Sequence, residues 1–111
     1  MQNTKIGYLY RDASNYKKWN EVIVKGSISP EQIDIIIGCL DGELYFIPRQ
    51  VGLPEDRFDE MTEDDHAWFE LGSEGIEPTD HAATEDISVL ELVENFIKAK
   101  NNWDECLFWA A

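Results

Sequence analysis

Two short stretches, Ser29-Pro30-Glu31-Gln32 and Ser88-Val89-Leu90-Glu91, constrain the fold of this chain more than any other feature. In each, a serine stands three residues ahead of a Gln or Glu, and apolar residues follow at helical spacing. This is a capping box. The serine hydroxyl accepts the backbone N–H of the third helical residue, whose side chain in turn accepts the N–H of the serine. Two donors that a helix start leaves orphaned are thereby satisfied. Pro30 strengthens the first box, because its missing N–H would find no partner at that position anyway. Ile28 with Ile33, and Ile87 with Leu92, are spaced to clamp across each cap. Ile33, Ile36, Ile37 and Leu40 then predict one apolar helix face; Val89, Leu92, Val93, Phe96 and Ile97 predict another. Asp41-Gly42 stops the first helix and Asn101-Asn102 the second. Lys98 and Lys100 suit the negative end of the second helix's dipole.

The remaining ordered stretches read as strands. Ile6, Tyr8 and Tyr10 alternate, and Trp19 to Lys25 is rich in β-branched residues. Asp12-Ala13-Ser14-Asn15 between them is turn chemistry, which predicts a hairpin with a loop of about seven residues. The aromatic and basic residues Tyr8, Tyr10, Tyr16, Trp19, Arg11, Lys17 and Lys18 are expected to brace it. Leu44 to Ile47 predicts a short buried strand ended by Pro48. Gly52 and Pro54 frame an irregular connection, and Ala67 to Leu71 predicts a fourth strand. Gly72 to Asp86 is polar and holds Gly75 and Pro78, so it reads as a mobile loop. Strands and helices do not alternate regularly, which argues against a doubly wound parallel sheet. The expected architecture is α+β: about four mainly antiparallel strands with the two capped helices packed on one face. The length of 111 residues suits a single domain over residues 1–111, ending in an aromatic tail at residues 102–111.

Charge is unevenly distributed. The formal net charge is −14, and the stretch from Glu55 to Glu94 holds fifteen acidic residues against one basic residue, Arg57. Outside it the charges balance. Such a field repels nucleic acid and anionic membrane and attracts basic protein surfaces. Glu55, Asp56, Asp59, Glu60, Glu63 and Asp64 recur in pairs every four residues, and Asp65 extends the run. These seven are the candidate partner-binding residues, expected to project outward together as an anionic wall. Carboxylates so spaced can imitate the phosphates of a duplex and occupy a nucleic-acid-binding groove on a target. Trp103, Phe108 and Trp109 are a second lead. They either fold back onto the core or form an apolar patch for a partner or a second copy.

Other chemistries find less support. Cysteine or serine catalysis needs a nucleophile within reach of a base. The chain has only His66 and His81, and its cysteines, Cys39 and Cys106, read as buried reduced thiols. Asp64-Asp65-His66 and Asp80-His81 juxtapose carboxylate and imidazole but match neither a zinc motif nor an EF-hand loop. No metal and no cofactor are therefore expected. Glycine loops that cradle phosphate are absent, since Gly72 and Gly75 sit amid glutamates. Met1 to Lys5 has no apolar run, and no stretch reaches the roughly 20 apolar residues of a membrane span. The cytoplasm is the expected compartment.

Three stretches, Tyr10-Arg11-Asp12-Ala13-Ser14-Asn15-Tyr16-Lys17, Phe46-Ile47-Pro48-Arg49-Gln50-Val51-Gly52-Leu53-Pro54 and Asp64-Asp65-His66-Ala67-Trp68-Phe69-Glu70-Leu71, resemble in order and spacing a family of small uncharacterised bacterial proteins. The resemblance covers roughly residues 6–98 and implies no activity and no catalytic residues. It implies that the three stretches share one surface or one core junction. The functional expectation is a non-catalytic acidic protein that masks a basic surface of a protein partner, as an inhibitor or immunity protein would. It would bind no nucleic acid directly and no membrane. The rival expectations are a small metal-dependent enzyme using Asp65 and His66, and a homodimer whose charge serves solubility alone.

Overall fold

The computed structural model describes residues 2–57 and 65–106. The order of elements is β1 (Asn3–Arg11), β2 (Lys17–Val24), α1 (Pro30–Cys39), β3 (Tyr45–Phe46), α2 (Pro48–Val51), β4 (Phe69–Glu70), β5 (Ile76–Thr79) and α3 (Val89–Ala99), with a 3-10 turn at Ser73–Gly75. The fold is α+β: the described residues form one five-stranded sheet, antiparallel at every strand pair, with three helices. β1 is central. β2 pairs along one edge of it, from Thr4 opposite Val24 to Arg11 opposite Lys17. The other edge is shared between β5, which covers Asn3 to Ile6, and β4, which meets β1 where Leu9 faces Glu70. β3 lies beyond β4.

Alternation along β1 decides which face is covered. Ile6, Tyr8 and Tyr10 point to the buried side, joined by Val22 and Val24 of β2 and Phe69 of β4. Ile36 of α1 and Val89, Leu92, Val93 and Phe96 of α3 close over them. The aromatic centre is interlocked. Phe46 lies 5.5 Å from Tyr8 and 5.6 Å from Phe96, and Tyr10 lies 5.1 Å from Phe69. Such tilted and edge-on pairs add to what area burial alone contributes. Both capping boxes form as the sequence predicts: Ser29 accepts from Gln32, and Ser88 from Glu91, with the reciprocal bonds in place.

The structure departs from the sequence expectation in several places. The sheet has a fifth strand, because Gly72 to Asp86 is not a free loop. Ile76 is buried opposite Ile6, and the chain through Thr79 adds to the edge of β1. Thr84 and Glu85 then donate their backbone N–H groups to Ile23, which closes part of the outer edge of β2. An open strand edge invites pairing with other chains, and this segment covers it. Pro48 does not merely end a strand; it begins the single turn α2, which closes at Gly52 in the left-handed region, φ 89°. Cys39 is buried as expected, and burial pushes its thiol pKa up; Cys106 is instead exposed, and the two are not bonded. Among the described residues no helix is long and apolar enough to cross a membrane.

Candidate functional site

Of the seven carboxylates expected to form an anionic wall, Glu55, Asp56 and Asp65 fall among the described residues; Asp59, Glu60, Glu63 and Asp64 lie outside them. The three do not project together. The side chain of Glu55 is only 7% exposed and is held between two guanidinium groups, with Arg49 and Arg57 each at 2.8 Å. Burial pushes its carboxyl pKa up, but the hydrogen bonds from Arg49 and Arg57 outweigh this and hold it below its ordinary value of 4.5. Asp65 is buried and accepts the hydroxyl of Tyr10. Asp56 faces solvent but pairs with Lys18 at 3.3 Å. Its backbone is tied to Asn20, whose side chain accepts its N–H and donates to its C=O. For Glu55 and Asp65 the physical reason is the same: a buried carboxylate persists only where donors satisfy it.

Arg57, the one cation of the acidic stretch, organises this junction. Its side chain is 11% exposed. It donates to the carbonyls of His66 and Ala67, each at 3.2 Å, and lies 5.1 Å above the Tyr10 ring and 4.8 Å above Phe69. A delocalised, weakly hydrated guanidinium suits such a half-aromatic, half-polar place better than an ammonium would. The three stretches of the family resemblance meet here. Tyr10 touches Asp65 and His66, and Phe46 packs against Phe69.

The rival catalytic pair is committed to the fold. His66 bonds at both ring nitrogens, with Nε2 2.7 Å from the carbonyl of Arg11 and Nδ1 accepting the N–H of Trp68 at 3.1 Å. Both bonds require the neutral Nε2–H tautomer. Among the described residues no three His, Cys, Asp or Glu side chains cluster in a way that would hold a metal ion.

Trp103 lies on the fold-back side of the choice posed for the tail. Its indole N–H donates to the carbonyl of Cys39 at 3.1 Å, and its ring packs 6.2 Å from Phe96 and 6.3 Å from Trp68. Gln50 fastens the same segment, accepting from Asp104 and donating to Asn102. Phe108 and Trp109 lie outside the described residues.

Two features of the surface were not singled out from the sequence. The first is where the cations go. Lys18, Arg49, Arg11, Lys5 and Lys25 come from outside the acidic stretch, yet pair with Asp56, Glu55, Glu70, Glu77 and Asp86 within it. The charge imbalance of the sequence is thus redistributed in space. Exposed carboxylates without an ion pair among the described residues include Glu31, Asp34, Glu43, Glu74, Asp80 and Glu94. The second is the uncovered face of the sheet. Across four strands Trp19, Leu9, Glu70 and Tyr45 stand directly opposite one another. Trp19 is 70% exposed and Tyr45 41%, whereas Leu9 between them is only 4% exposed. Alternation from the buried Tyr8 and Tyr10 would have placed Leu9 and its cross-strand neighbours on this face, but the register across β4 is not readable from one chain. Comparison with protein-family models, with curated proteins and with solved structures finds no match to this chain.

Proposed function

We propose that this protein is a non-catalytic binding protein that docks on and masks a basic surface of a protein partner, in the manner of an inhibitor or immunity protein. One observation carries the reading. Six of the nine basic residues are used in ion pairs within the fold, while exposed carboxylates on α1, on α3 and around the open sheet face stay uncompensated. A molecule of net charge −14, with six of its nine cations facing its own carboxylates, presents a predominantly negative exterior. That exterior steers basic partners into encounter and repels nucleic acid. The anionic surface in this reading is a distributed one, since Glu55 and Asp65 are internal. Engagement of Asp65 and His66 in the junction also counts against the metal-dependent alternative.

The test is a partner captured at low ionic strength. Its association rate is expected to fall steeply as salt is added, and substitution of Glu31, Asp34 and Glu94 by their amides is expected to slow association further. A captured partner whose affinity ignores ionic strength overturns the proposal. A second reading, the homodimer, draws on Ile35 and Ile97. They are exposed and line one groove between α1 and α3, beside Asp34 and Lys100. Sedimentation at high salt, where repulsion between two like-charged copies is screened, separates the two readings.

A further inference from the structure

Between Glu70 and Ile76 the chain leaves the edge of β1 and passes through the 3-10 turn before rejoining it. Opposite this excursion stands Gly7, which has no side chain to fill the gap. The result is a cavity of about 260 Å³ on the uncovered sheet face, floored by Gly7 and Leu9 and walled by Trp19, Leu44, Glu70 and Glu74. Its lining holds two carboxylates and no cation. Glu70 shares one oxygen with Arg11 at 2.9 Å. Glu74 has no ion pair among the described residues, and its carboxylate folds back over Gly72, where a Cβ would collide with it.

We infer that this cavity receives one arginine side chain of the basic partner. The inference rests on the masking reading and assigns its anchor point. Three features select the occupant. An exposed indole face attracts a cation through its quadrupole, and a planar guanidinium stacks on it. Two carboxylates at the rim offer the guanidinium fork charged acceptors. The volume lies below the roughly 300–1,000 Å³ of pockets that enclose drug-sized ligands, so it suits a single side chain rather than a whole small molecule. The arginine stem would lie along Leu44, with the guanidinium between Trp19 and Glu74.

Gly7 makes the inference testable. A Cβ built there meets nothing closer than 3.8 Å, so the side chain added by Gly7→Val has room to start into the cavity and is expected to fill its floor. The probe is the tripeptide acetyl-Gly-Arg-Gly-amide, with its citrulline counterpart as a neutral isostere, titrated to about 10 mM against the full chain, since small ligands bind weakly. Nitrogen–proton correlation spectra follow the Trp19 indole, identified with Trp19→Phe, and the amides of Gly7 and Glu74. The arginine peptide is expected to shift these signals and the citrulline peptide to leave them in place. Gly7→Val and Glu74→Gln are each expected to weaken the response about fivefold or more. Equal responses to the two peptides, no response, or a full response from both variants overturns the assignment. Glu74 is exposed, so Glu74→Gln carries the test even if Gly7→Val fails to fold. A captured partner that leaves at high salt yet binds Gly7→Val as tightly as the unaltered protein overturns the cavity assignment and leaves masking standing. A partner indifferent to salt overturns masking whatever the peptides do.

Discussion

Arg57 shows how one side chain can stand at the centre of a polar junction that the sequence presents as surface. It holds Glu55, two carbonyls and two rings at once. Arg57→Leu keeps the volume but strands the Glu55 carboxylate with Arg49 alone, and is expected to cost about 3–5 kcal/mol in denaturant unfolding. The same junction sets the pH limits of stability. The folded Glu55 carboxyl titrates below its ordinary value, so its contribution is present above pH 4.5 and disappears as pH falls through the lower folded value. The Tyr10 hydroxyl is shifted the other way, first by burial and then by its bond to Asp65, up to about 12. Its contribution is complete below the ordinary value of 10.0 and is lost as pH rises through about 12. Thermal midpoints measured from pH 3 to pH 12 are expected to fall at both ends, with the alkaline fall reduced in Tyr10→Phe. None of this was visible in the sequence. Carboxylates recurring in pairs every four residues read as an outward-facing wall, and only the fold reveals that Arg49, from a different element, reaches Glu55. The open face was half legible. Alternation in β1 sets Gly7 and Leu9 on one side, but the neighbours of Leu9 come from residues far along the chain.

Capped elements were the most legible. Both long helices start where a serine and its partner three residues on predict, because the signal and the structure it makes are local. β5 was missed for the opposite reason. Ile76-Glu77-Pro78-Thr79 has glutamate and proline in strand positions, and it becomes a strand only because β1 supplies a partner. Pro78 is tolerable there because β5 lies at the sheet's margin. The turn that leads into β5 also lies close against β1. A Cβ on Gly75 would overlap the carbonyl oxygen of Gly7. Gly75→Ala is therefore expected to cost about 1–3 kcal/mol, read as a lower denaturant midpoint, as overpacking does. The turn into β3 is also under strain. Glu43 adopts φ 60° beside Gly42 at the same angle, a conformation that asparagine accepts more readily. Glu43→Asn is expected to raise stability by about 0.5 kcal/mol in the same measurement.

At the scale of the whole molecule, self-repulsion competes with packing. The ion pairs that fold the cations inward are mostly exposed, and such pairs contribute little individually. The net charge of −14 opposes compaction throughout. Moderate salt is therefore expected to raise the thermal midpoint, because screening relieves the repulsion more than it weakens the pairs. A midpoint that falls with added salt would mean that the pairs matter more than their exposure suggests. The order of the strands has a consequence for synthesis. β1 is synthesised just ahead of β2 and pairs with it at once, yet its second edge is completed only by residues 69–79. Until residues 69–79 have been translated, the nascent hairpin carries a naked strand edge, the stage at which chaperones or other growing chains have the best opportunity to engage it.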